Sequence, residues 1–262
     1  MNIIKKDENN NLIIGYEPQL TNSKISFSGK NNRLIIEENV KLRNSKINFK
    51  ANNSIIYLSS NSSYILNIDI HNNSVCFFDE HTDMTGKSHI FVSEEKHFFV
   101  GKNCLFSLEI WVRLADPHLI YDSITNERIN LTKSVYIGDH VWIGQNVFLL
   151  KGTKIGSGSI IGANSVVANK QIPSNAIWAG NPVKEIRKNA LFNKASVHAY
   201  TATQTQQSLK NDSKKGIFKN EGEILNFDEI DKFFTDTKDV DKKVEFLYKL
   251  RNNESPNRFY IE

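Results

Sequence analysis

The sequence predicts a mainly β protein, a left-handed parallel β-helix with an inserted loop and a small α-helical C-terminal extension. Three observations support this: an unbroken six-residue repeat, apolar runs upstream of it at intervals of about 20 residues, and a polar tail that ends in two helical patterns. With 262 residues, 39% hydrophobic and 24% charged, the chain has the size and composition of a globular domain with an appendage.

The repeat runs from Ile137 to Ile172 and reads IGDHVW, IGQNVF, LLKGTK, IGSGSI, IGANSV, VANKQI. An aliphatic residue opens each unit, and glycine follows it in four of the six units. Three such short strands make one triangular coil, and stacked coils place the aliphatic residues in interior columns. A small residue after the aliphatic one tolerates the tight turn at each corner. An amphipathic helix repeats near 3.6 residues and a flat strand at two, so neither explains this period.

Upstream, the pattern is looser but still β-like. SKISF at 23–27 recurs as SKINF at 45–49, and asparagine pairs at 31–32, 52–53 and 72–73 separate the apolar runs. Asparagine tolerates the left-handed conformation that turns require. An antiparallel meander is the alternative, but repeat arrays often have degenerate end units, which favours a continuation of the same solenoid.

We therefore expect an N-terminal β lead-in over 1–22, the β-helix over 23–188 with a loop inserted at 116–133, and a polar linker with two short helices over 189–262. Asn226 is the predicted N-cap of the first helix, with Glu229 in the capping-box position. Val240, Val244 and Leu247 mark the second helix by their spacing. These helices are expected to pack on the β-helix or on a partner; docking to a membrane or a complex is the alternative.

Charge and cysteine usage exclude several classes of protein. The net charge of +4 is small and spread along the chain, so no nucleic-acid partner is expected, although a mildly basic surface suits an anionic cofactor or glycan. Cys76 and Cys104 lie in apolar β-like runs and are expected to be buried free thiols, which fits a reducing compartment. The sequence shows no signal peptide and no transmembrane stretch, so we expect a cytoplasmic protein that could act at the inner face of the membrane.

Three segments, VRLADPHLIYD (112–122), GDHVWIGQNV (138–147) and IPSNAIWAGNPVKEIRKN (172–189), resemble hexapeptide-repeat acyltransferases, in particular those that O-acetylate capsule, lipooligosaccharide and sialic acid. The first is similar to the family's catalytic loop, although Ala115-Asp116-Pro117-His118 stands where many relatives have Ser-Asp-Ser-His. The second matches the family's tryptophan-containing coil and the third its closing segment. The resemblance is specific over about 74–188. It implies transfer of an acetyl group from acetyl-CoA to a hydroxyl of a bacterial surface sugar, by a homotrimer with active sites between subunits.

Such a transfer needs a base for the hydroxyl proton, and histidine is suited because its ordinary pKa lies near neutrality. His118 follows a proline in a non-repeat loop, where functional side chains concentrate, and the resemblance assigns it the catalytic role. His140, inside a regular repeat, is the rival base. The other histidines are expected to be surface or turn residues: His71, His81, His89, His97 and His198.

Around His118, any of Asp116, Asp122 and Glu127 could orient the imidazole. Arg113 and Arg128 are expected to face an anionic acceptor, with a surface salt bridge as the alternative. The expected substrate-binding set is therefore Arg113, Asp116, Asp122 and Arg128. By the resemblance, Trp142 borders the thioester and the acceptor and donates its indole N–H there; the plain alternative is a packing residue between subunits.

The same resemblance implies a cofactor site along the coils. Small residues would let the pantetheine arm of acetyl-CoA approach the backbone amides at Gly144, Gln145, Gly162 and Ala163. Trp178, Ala179, Gly180 and Pro182 would wall the adenine, and Lys170, Lys184 and Arg187 would meet the phosphates. The segment before Lys170 is one residue longer than the family pattern, so its register departs from that of relatives. No metal is expected.

Three other functions are weighed against O-acetylation. A γ-type carbonic anhydrase requires three histidines that converge on zinc, and no histidine pair of matching spacing lies near the coils. A non-catalytic scaffold would not need the loop histidine and the closing segment. N-acetylation of a nucleotide-linked amino sugar is the runner-up; such enzymes commonly carry an N-terminal nucleotide-binding α/β domain, whereas the first hundred residues here are β-rich without a glycine-rich phosphate loop.

Overall fold

The chain winds into a left-handed β-helix. A computed structural model describes residues 2–60, 63–213 and 215–262. Its strands, in chain order, are β1 (Ile3–Lys6), β2 (Leu12–Gly15), β3 (Gln19–Thr21), β4 (Lys24–Phe27), β5 (Arg33–Ile36), β6 (Lys41–Arg43), β7 (Lys46–Phe49), β8 (Ile55–Leu58), β9 (Leu66–Ile70), β10 (Val75–Phe78), β11 (Asp83–Met84), β12 (Ser88–Val92), β13 (His97–Val100), β14 (Leu105–Phe106), β15 (Ile110–Arg113), β16 (Val135–Ile137), β17 (Trp142–Ile143), β18 (Phe148–Leu150), β19 (Lys154–Ile155), β20 (Ile160–Ile161), β21 (Val166–Val167), β22 (Gln171–Ile172), β23 (Ile177–Ala179) and β24 (Lys184–Arg187). The helices are α1 (Ala202–Gln207), α2 (Phe227–Asp236) and α3 (Val240–Arg251).

The strands form three faces of a triangular prism. Face 1 contains β1, β2, β5, β8, β10, β13, β16, β19 and β22; face 2 contains β3 and β6 and then β11, β14, β17, β20, β23 and β24; face 3 contains β4, β7, β9, β12, β15, β18 and β21. The chain passes from face 1 to face 2 to face 3 in every coil, and we call the turns between them corner 1/2, corner 2/3 and corner 3/1.

Neighbouring coils pair in parallel, as the repeat predicts. In the regular part, Tyr136 pairs with Lys154, which is one coil of three hexapeptides further on. The upstream coils are longer, since Ile55 pairs with Val75 and Val75 with His97. The same solenoid therefore continues through the irregular N-terminal half, and the antiparallel meander is wrong. Its first coil begins at Leu12, which pairs with Arg33, inside the segment taken as a lead-in.

The core follows the repeat. The six aliphatic residues that open the hexapeptide units are fully buried: Ile137, Ile143, Leu149, Ile155, Ile161 and Val167. Asparagines at the corners take the left-handed conformation, as predicted: φ is 58° at Asn31, 57° at Asn53 and 56° at Asn73. Their side-chain amides stack in a ladder along corner 3/1, each donating to the next, at 2.9 Å and then 3.1 Å. Cys76 and Cys104 are buried free thiols, also as predicted.

The C-terminal helices cover face 1. Apolar residues of α2 and α3, among them Phe234 and Leu247, pack on outward side chains of face 1 such as Tyr57 and Phe99. Asn226 caps α2 as predicted, but its side chain accepts from the N–H of Asp228 and not in a capping box with Glu229. A third helix, α1, occurs in the segment expected to be a linker, and all of its side chains are exposed.

His97 is buried because α2 packs on face 1. His97 is 1% exposed, and its ring centre lies 5.2 Å from that of Phe234. Its Nδ1 accepts from the N–H of Val75. Burial holds the pKa of His97 well below its ordinary value. His97 is thus a neutral core residue of the face, and the expectation that it is a surface or turn residue is wrong.

A buried arginine joins the tail to corner 1/2. Arg258 is 1% exposed and donates from Nε and Nη2 to the two carboxylate oxygens of Asp139, at 2.9 Å each. It also forms an ion pair with Asp79, which is fully buried two coils away. Burial raises the pKa of Asp79 to about 6, and Arg258 opposes this rise. No helix of the described residues is long and apolar enough to cross a membrane.

Candidate active site

The largest described groove, about 800 Å³, runs along corner 2/3 of coils five to seven and is mostly apolar. Each coil contributes a small or apolar residue to it at the same place in the turn. Its lining includes Leu105, Ser107, Leu108, Trp142, Gly144, Gln145, Ile160, Gly162 and Ala163. The structure thus brings together Trp142 and all four residues expected to contact the pantetheine arm.

Close stacking of the coils explains the glycines of this corner. A Cβ on Gly144 would lie 2.6 Å from the backbone nitrogen of Ala163, and one on Gly162 would lie 2.7 Å from the Cβ of Ala179. Neither glycine has a positive φ. The sequence predicts glycine here because it tolerates a tight turn. The structure gives a different reason: a side chain at either position would collide with the next coil.

Trp142 forms one side of the groove. Its side chain stands on the outer surface of β17 and the residue is 37% exposed. The indole N–H donates to the hydroxyl of Ser107 at 3.2 Å, so this donor is already engaged within the chain. The exposed ring face remains available to a ligand in the groove.

The outer wall of the groove comes from the C-terminal tail. Residues 191–198, which we call the strap, cross face 2, and those from Asn193 to His198 line the groove. The strap is anchored by Phe192, whose ring stacks on that of His140 with centres 4.2 Å apart, and by Lys194, which pairs with Asp83 at 2.9 Å. His198 is exposed, as the sequence predicts, and also lies at the groove.

His140 has a structural part in this arrangement. Its Nε2–H donates to the carbonyl of Phe192 at 3.1 Å, and its ring is stacked on that side chain. Burial lowers the pKa of His140. Because His140 lies at corner 1/2 and its Nε2 is engaged with the strap, it does not face the groove at corner 2/3.

The loop with His118 protrudes at corner 3/1. It folds back as a short hairpin, closed by an antiparallel bridge between Tyr121 and Arg128. Asp122 shapes its tip by accepting from the N–H groups of Ile124 and Thr125. At its base, the amide of Asn130 donates to the carbonyl of His118 at 2.7 Å. The hairpin holds the backbone of His118 and leaves its side chain exposed.

None of the three acids expected to orient the imidazole is hydrogen-bonded to it within the described chain. Asp116 instead accepts from Lys151 at 2.5 Å and from Asn130 at 3.2 Å, and Lys151 is the main cause of its lowered pKa. Asp122 is engaged at the hairpin tip, where backbone N–H groups lower its pKa. Asp116 therefore supports the base of the loop, while the imidazole is free to meet another molecule.

The two arginines of the expected acceptor site lie in different surroundings. Arg128 forms a bidentate ion pair with Glu94, at 2.8 Å and 3.0 Å, so it follows the salt-bridge alternative. Arg113 stands on the outer surface of face 3, with its guanidinium 4.4 Å from the ring centre of Phe91. Its charge is not neutralised by an ion pair among the described residues, which leaves it able to bind an anion.

The residues expected at the adenine and phosphates are dispersed. Trp178 pairs with Ile161 in register and packs against the core, with its indole nitrogen buried. Lys170 lies at corner 3/1, below the His118 loop, and not at corner 2/3. Lys184 and Arg187 are exposed on β24, Ala179 ends β23, and Gly180 and Pro182 lie in the turn between these two strands. Of the residues expected at the adenine and phosphates, only Lys184, Arg187 and the turn before β24 lie near the end of the groove within one chain, because β24 is the last strand of face 2.

Large apolar side chains are exposed around the loop and on face 3. Six on the loop are between 48% and 88% exposed: Leu119, Ile120, Tyr121, Ile124, Ile129 and Leu131. On face 3, the ring of Trp111 is stacked between His89, at 4.2 Å, and Phe148, at 6.1 Å. Exposed apolar surface of this extent marks a contact with another molecule.

Comparison with known proteins agrees with this architecture. Residues 134–169 match the family model described as bacterial transferase hexapeptide (six repeats). The solved structure of the polySia specific acetyltransferase NeuO superposes with a TM-score of 0.65 and 29% identity, over 75% of this chain and 92% of that one. The polysialic acid O-acetyltransferase OatWY gives 0.58 and 25%, over 74% and 96%. No curated protein sequence matches the chain.

The chain carries the hexapeptide repeat of bacterial transferases over residues 134–169. It resembles the sialic acid O-acetyltransferases, as its sequence predicts. Among the described residues there is no group of three or more histidine, cysteine, aspartate or glutamate side chains placed to hold a metal ion.

The groove can be tested by filling it. Ala163 is exposed at its floor, and an indole there would occupy the space along the coils. We expect Ala163→Trp to weaken binding of CoA by about 100-fold or more, because a ligand cannot share a filled groove. Isothermal titration with CoA measures this, with Ala202→Trp on exposed α1 as the matched control. Equal affinities of Ala163→Trp and wild type would place CoA elsewhere.

Proposed function

We propose that this protein moves an acetyl group from acetyl-CoA to a hydroxyl of a bacterial surface sugar: sialic acid, or another sugar of a capsule or lipooligosaccharide. The observation that carries the proposal is the groove at corner 2/3, where Trp142 and small residues of successive coils lie side by side. The similarity to NeuO and OatWY, whose names specify polysialic acid, supports a sialylated acceptor. The buried free thiols fit a cytoplasmic reaction.

The groove suits the pantetheine arm of acetyl-CoA. It is apolar along its length, as a flexible alkyl-amide chain requires, and its floor of Gly144, Gly162 and Ala163 lets a ligand approach the backbone. Coils of a β-solenoid are spaced about 4.8 Å apart, so the three coils of the groove extend for about 10 Å along the axis. Lys184 and Arg187 on β24 would then meet the phosphates beyond its end.

We propose that the protein is a homotrimer packed through face 3. Face 1 is covered by α2 and α3, and the strap crosses face 2, whereas face 3 exposes Phe148 and partly exposes Trp111. Corner 2/3 and corner 3/1 are the two edges of face 3. Threefold packing around this face therefore sets the groove of one subunit beside the His118 loop of the next, which also covers the loop's apolar residues.

In this arrangement, His118 of one subunit is the general base for an acceptor held against the neighbour's groove. The imidazole takes the proton of the sugar hydroxyl as its oxygen attacks the thioester carbonyl. The tetrahedral intermediate then collapses, the C–S bond breaks, and the imidazolium returns the proton to the departing thiolate, which leaves as CoA. Backbone N–H groups at the corner are suited to receive the negative charge that develops on the carbonyl oxygen. Trp142 borders the reacting groups with its exposed ring. Arg113 and Lys170, on face 3 and at corner 3/1, are placed to attract an anionic acceptor.

Thiol release from acetyl-CoA tests the proposal. The wild-type protein is assayed with a panel of oligosialic acid, polysialic acid, neutral glycans and nucleotide-linked amino sugars, and the products are analysed by mass spectrometry after mild base. We expect release that depends on a sialylated acceptor and a product acetyl group that is lost in base, as an O-ester is. A base-stable product formed only with amino sugars would instead identify an N-acetyltransferase.

A further inference from the structure

The strap differs from the rest of the groove because it is no part of the solenoid. It leaves the last coil after β24 and turns back along face 2 to Asp83, on a coil near the middle of the stack. Beyond His198 the chain is exposed as far as residue 213, apart from the half-buried Tyr200. The strap is therefore held at one end by the closing segment and along its course by a small number of side chains.

Two residues anchor the strap to the coils: Phe192 at corner 1/2 and Lys194 on face 2. Phe192, 7% exposed, stacks on His140 with the ring planes 6° apart, and its carbonyl accepts from the same imidazole. Lys194 donates to the carboxylate of Asp83 and to the carbonyl of His81, at 2.9 Å each. Neither anchor takes part in the cores formed by the coil interior and by α2 and α3 on face 1.

The strap lines the groove from Asn193 to His198, so the anchor Lys194 also lies at the groove. Val197 and His198 are exposed to solvent on one side and line the groove on the other, opposite Leu108 and Ile160. Without the strap, corner 2/3 would present an open floor, as it does elsewhere along the prism. Within the subunit, an extended ligand on such a floor would then contact the corner alone.

We propose that the strap is the outer wall of the acyl-donor groove and that Phe192 and Lys194 are positioning residues, which set the affinity for the donor without touching the acceptor. This inference rests on the proposed function, since it takes the pantetheine arm as the ligand of the groove. If the strap is already fixed before the ligand binds, binding does not have to overcome the loss of conformational entropy of a mobile segment, and the affinity is higher. Loss of its anchors should therefore weaken donor binding and leave the chemistry of His118 intact.

The test compares wild type with Phe192→Ala, Lys194→Ala and the double variant. We expect the double variant to bind CoA about tenfold more weakly or worse by isothermal titration, and each single variant to lie between. In steady state, KM for acetyl-CoA should rise while KM for the acceptor stays unchanged. CoA should protect the tail between 199 and 213 from limited proteolysis in wild type and not in the double variant.

Controls separate the strap from the fold and from the proposed function. Lys238→Ala removes a comparable surface ion pair, with Glu95 at 3.4 Å, and should leave CoA affinity unchanged. The thermal midpoint of Lys194→Ala should match that of wild type, because it removes only a surface anchor. CoA binding by wild type together with unchanged affinity in the double variant would overturn the strap proposal alone. Absence of CoA binding by wild type would overturn the proposed function as well.

Discussion

Replacement of His118 by alanine is expected to lower kcat for acetyl transfer by two to four orders of magnitude, the usual range for loss of a general base. The imidazole is exposed and makes no hydrogen bond within the described chain, so its removal costs the fold nothing measurable. CoA affinity should stay at the wild-type value, because the residues that line the groove are all outside the His118 loop and the imidazole is proposed to act on the acceptor hydroxyl. Thiol release with a sialylated acceptor measures the first effect, and titration with CoA measures the second.

Two histidines serve as comparisons. His71→Ala removes another exposed histidine at corner 3/1 and should retain full activity. His198→Ala changes the one histidine that lines the groove within the same chain, and we expect a moderate rise in KM for acetyl-CoA without a collapse of kcat. If His118→Ala retained wild-type kcat and His198→Ala lost it, the base would be His198 and the assignment of His118 would be wrong.

The largest expected effect on stability is that of Arg258→Leu. The substitution leaves Asp79 and Asp139 without their buried partner, and breaking a buried ion pair in this way costs about 3–5 kcal/mol of unfolding free energy. Urea denaturation at pH 7 measures the loss. Arg128→Leu, which removes a bidentate pair with an exposed carboxylate, is the comparison and should cost about 1 kcal/mol or less.

The pH dependence of the Arg258 variant gives a second signature. Burial raises the pKa of Asp79 to about 6 even beside the arginine, so the carboxyl takes up a proton more readily in the folded than in the unfolded chain. Arg258 lowers this pKa in the wild type, so the pKa of Asp79 is higher still in the variant. The cost of the unpaired carboxylate is therefore fully present only above the variant's pKa and falls as the pH decreases from there towards about 6. The deficit of Arg258→Leu relative to wild type should shrink between pH 7 and pH 5. A deficit that is equal at both pH values would indicate lost packing and not an unpaired charge.

The fold could be predicted because the repeat specifies each coil locally. The residue that opens each hexapeptide, such as Ile143 or Ile161, points inward through the geometry of its own turn and needs no distant contact. The same holds for the groove floor, since Gly144 and Gly162 take equivalent places in successive coils. Asparagine at the corners adopts the left-handed conformation for an equally local reason.

The parts that escaped prediction depend on contacts between distant segments. Arg258 meets Asp139 from 119 residues away, and nothing near either residue in the sequence indicates the pair. His97 is buried only because α2 returns to cover face 1. His198 reaches the groove only because the strap turns back along face 2. Trp178 differs from these residues, because its position depends on the local repeat. It pairs with Ile161 of the preceding coil, whereas the resemblance to the family's closing segment predicted a contact with the adenine of the cofactor.

The central claim is that the groove of one subunit works with His118 of the next, and mixed trimers test it most directly. His118→Ala and Ala163→Trp chains, each inactive alone, are co-expressed with different tags, and trimers containing both are isolated and assayed. A shared site predicts recovered activity of about a third of wild type, because every trimer that contains both chains has one site of three that pairs an intact groove with an intact histidine. Mixed trimers that stay inactive while the corresponding wild-type trimers turn over would contradict the account.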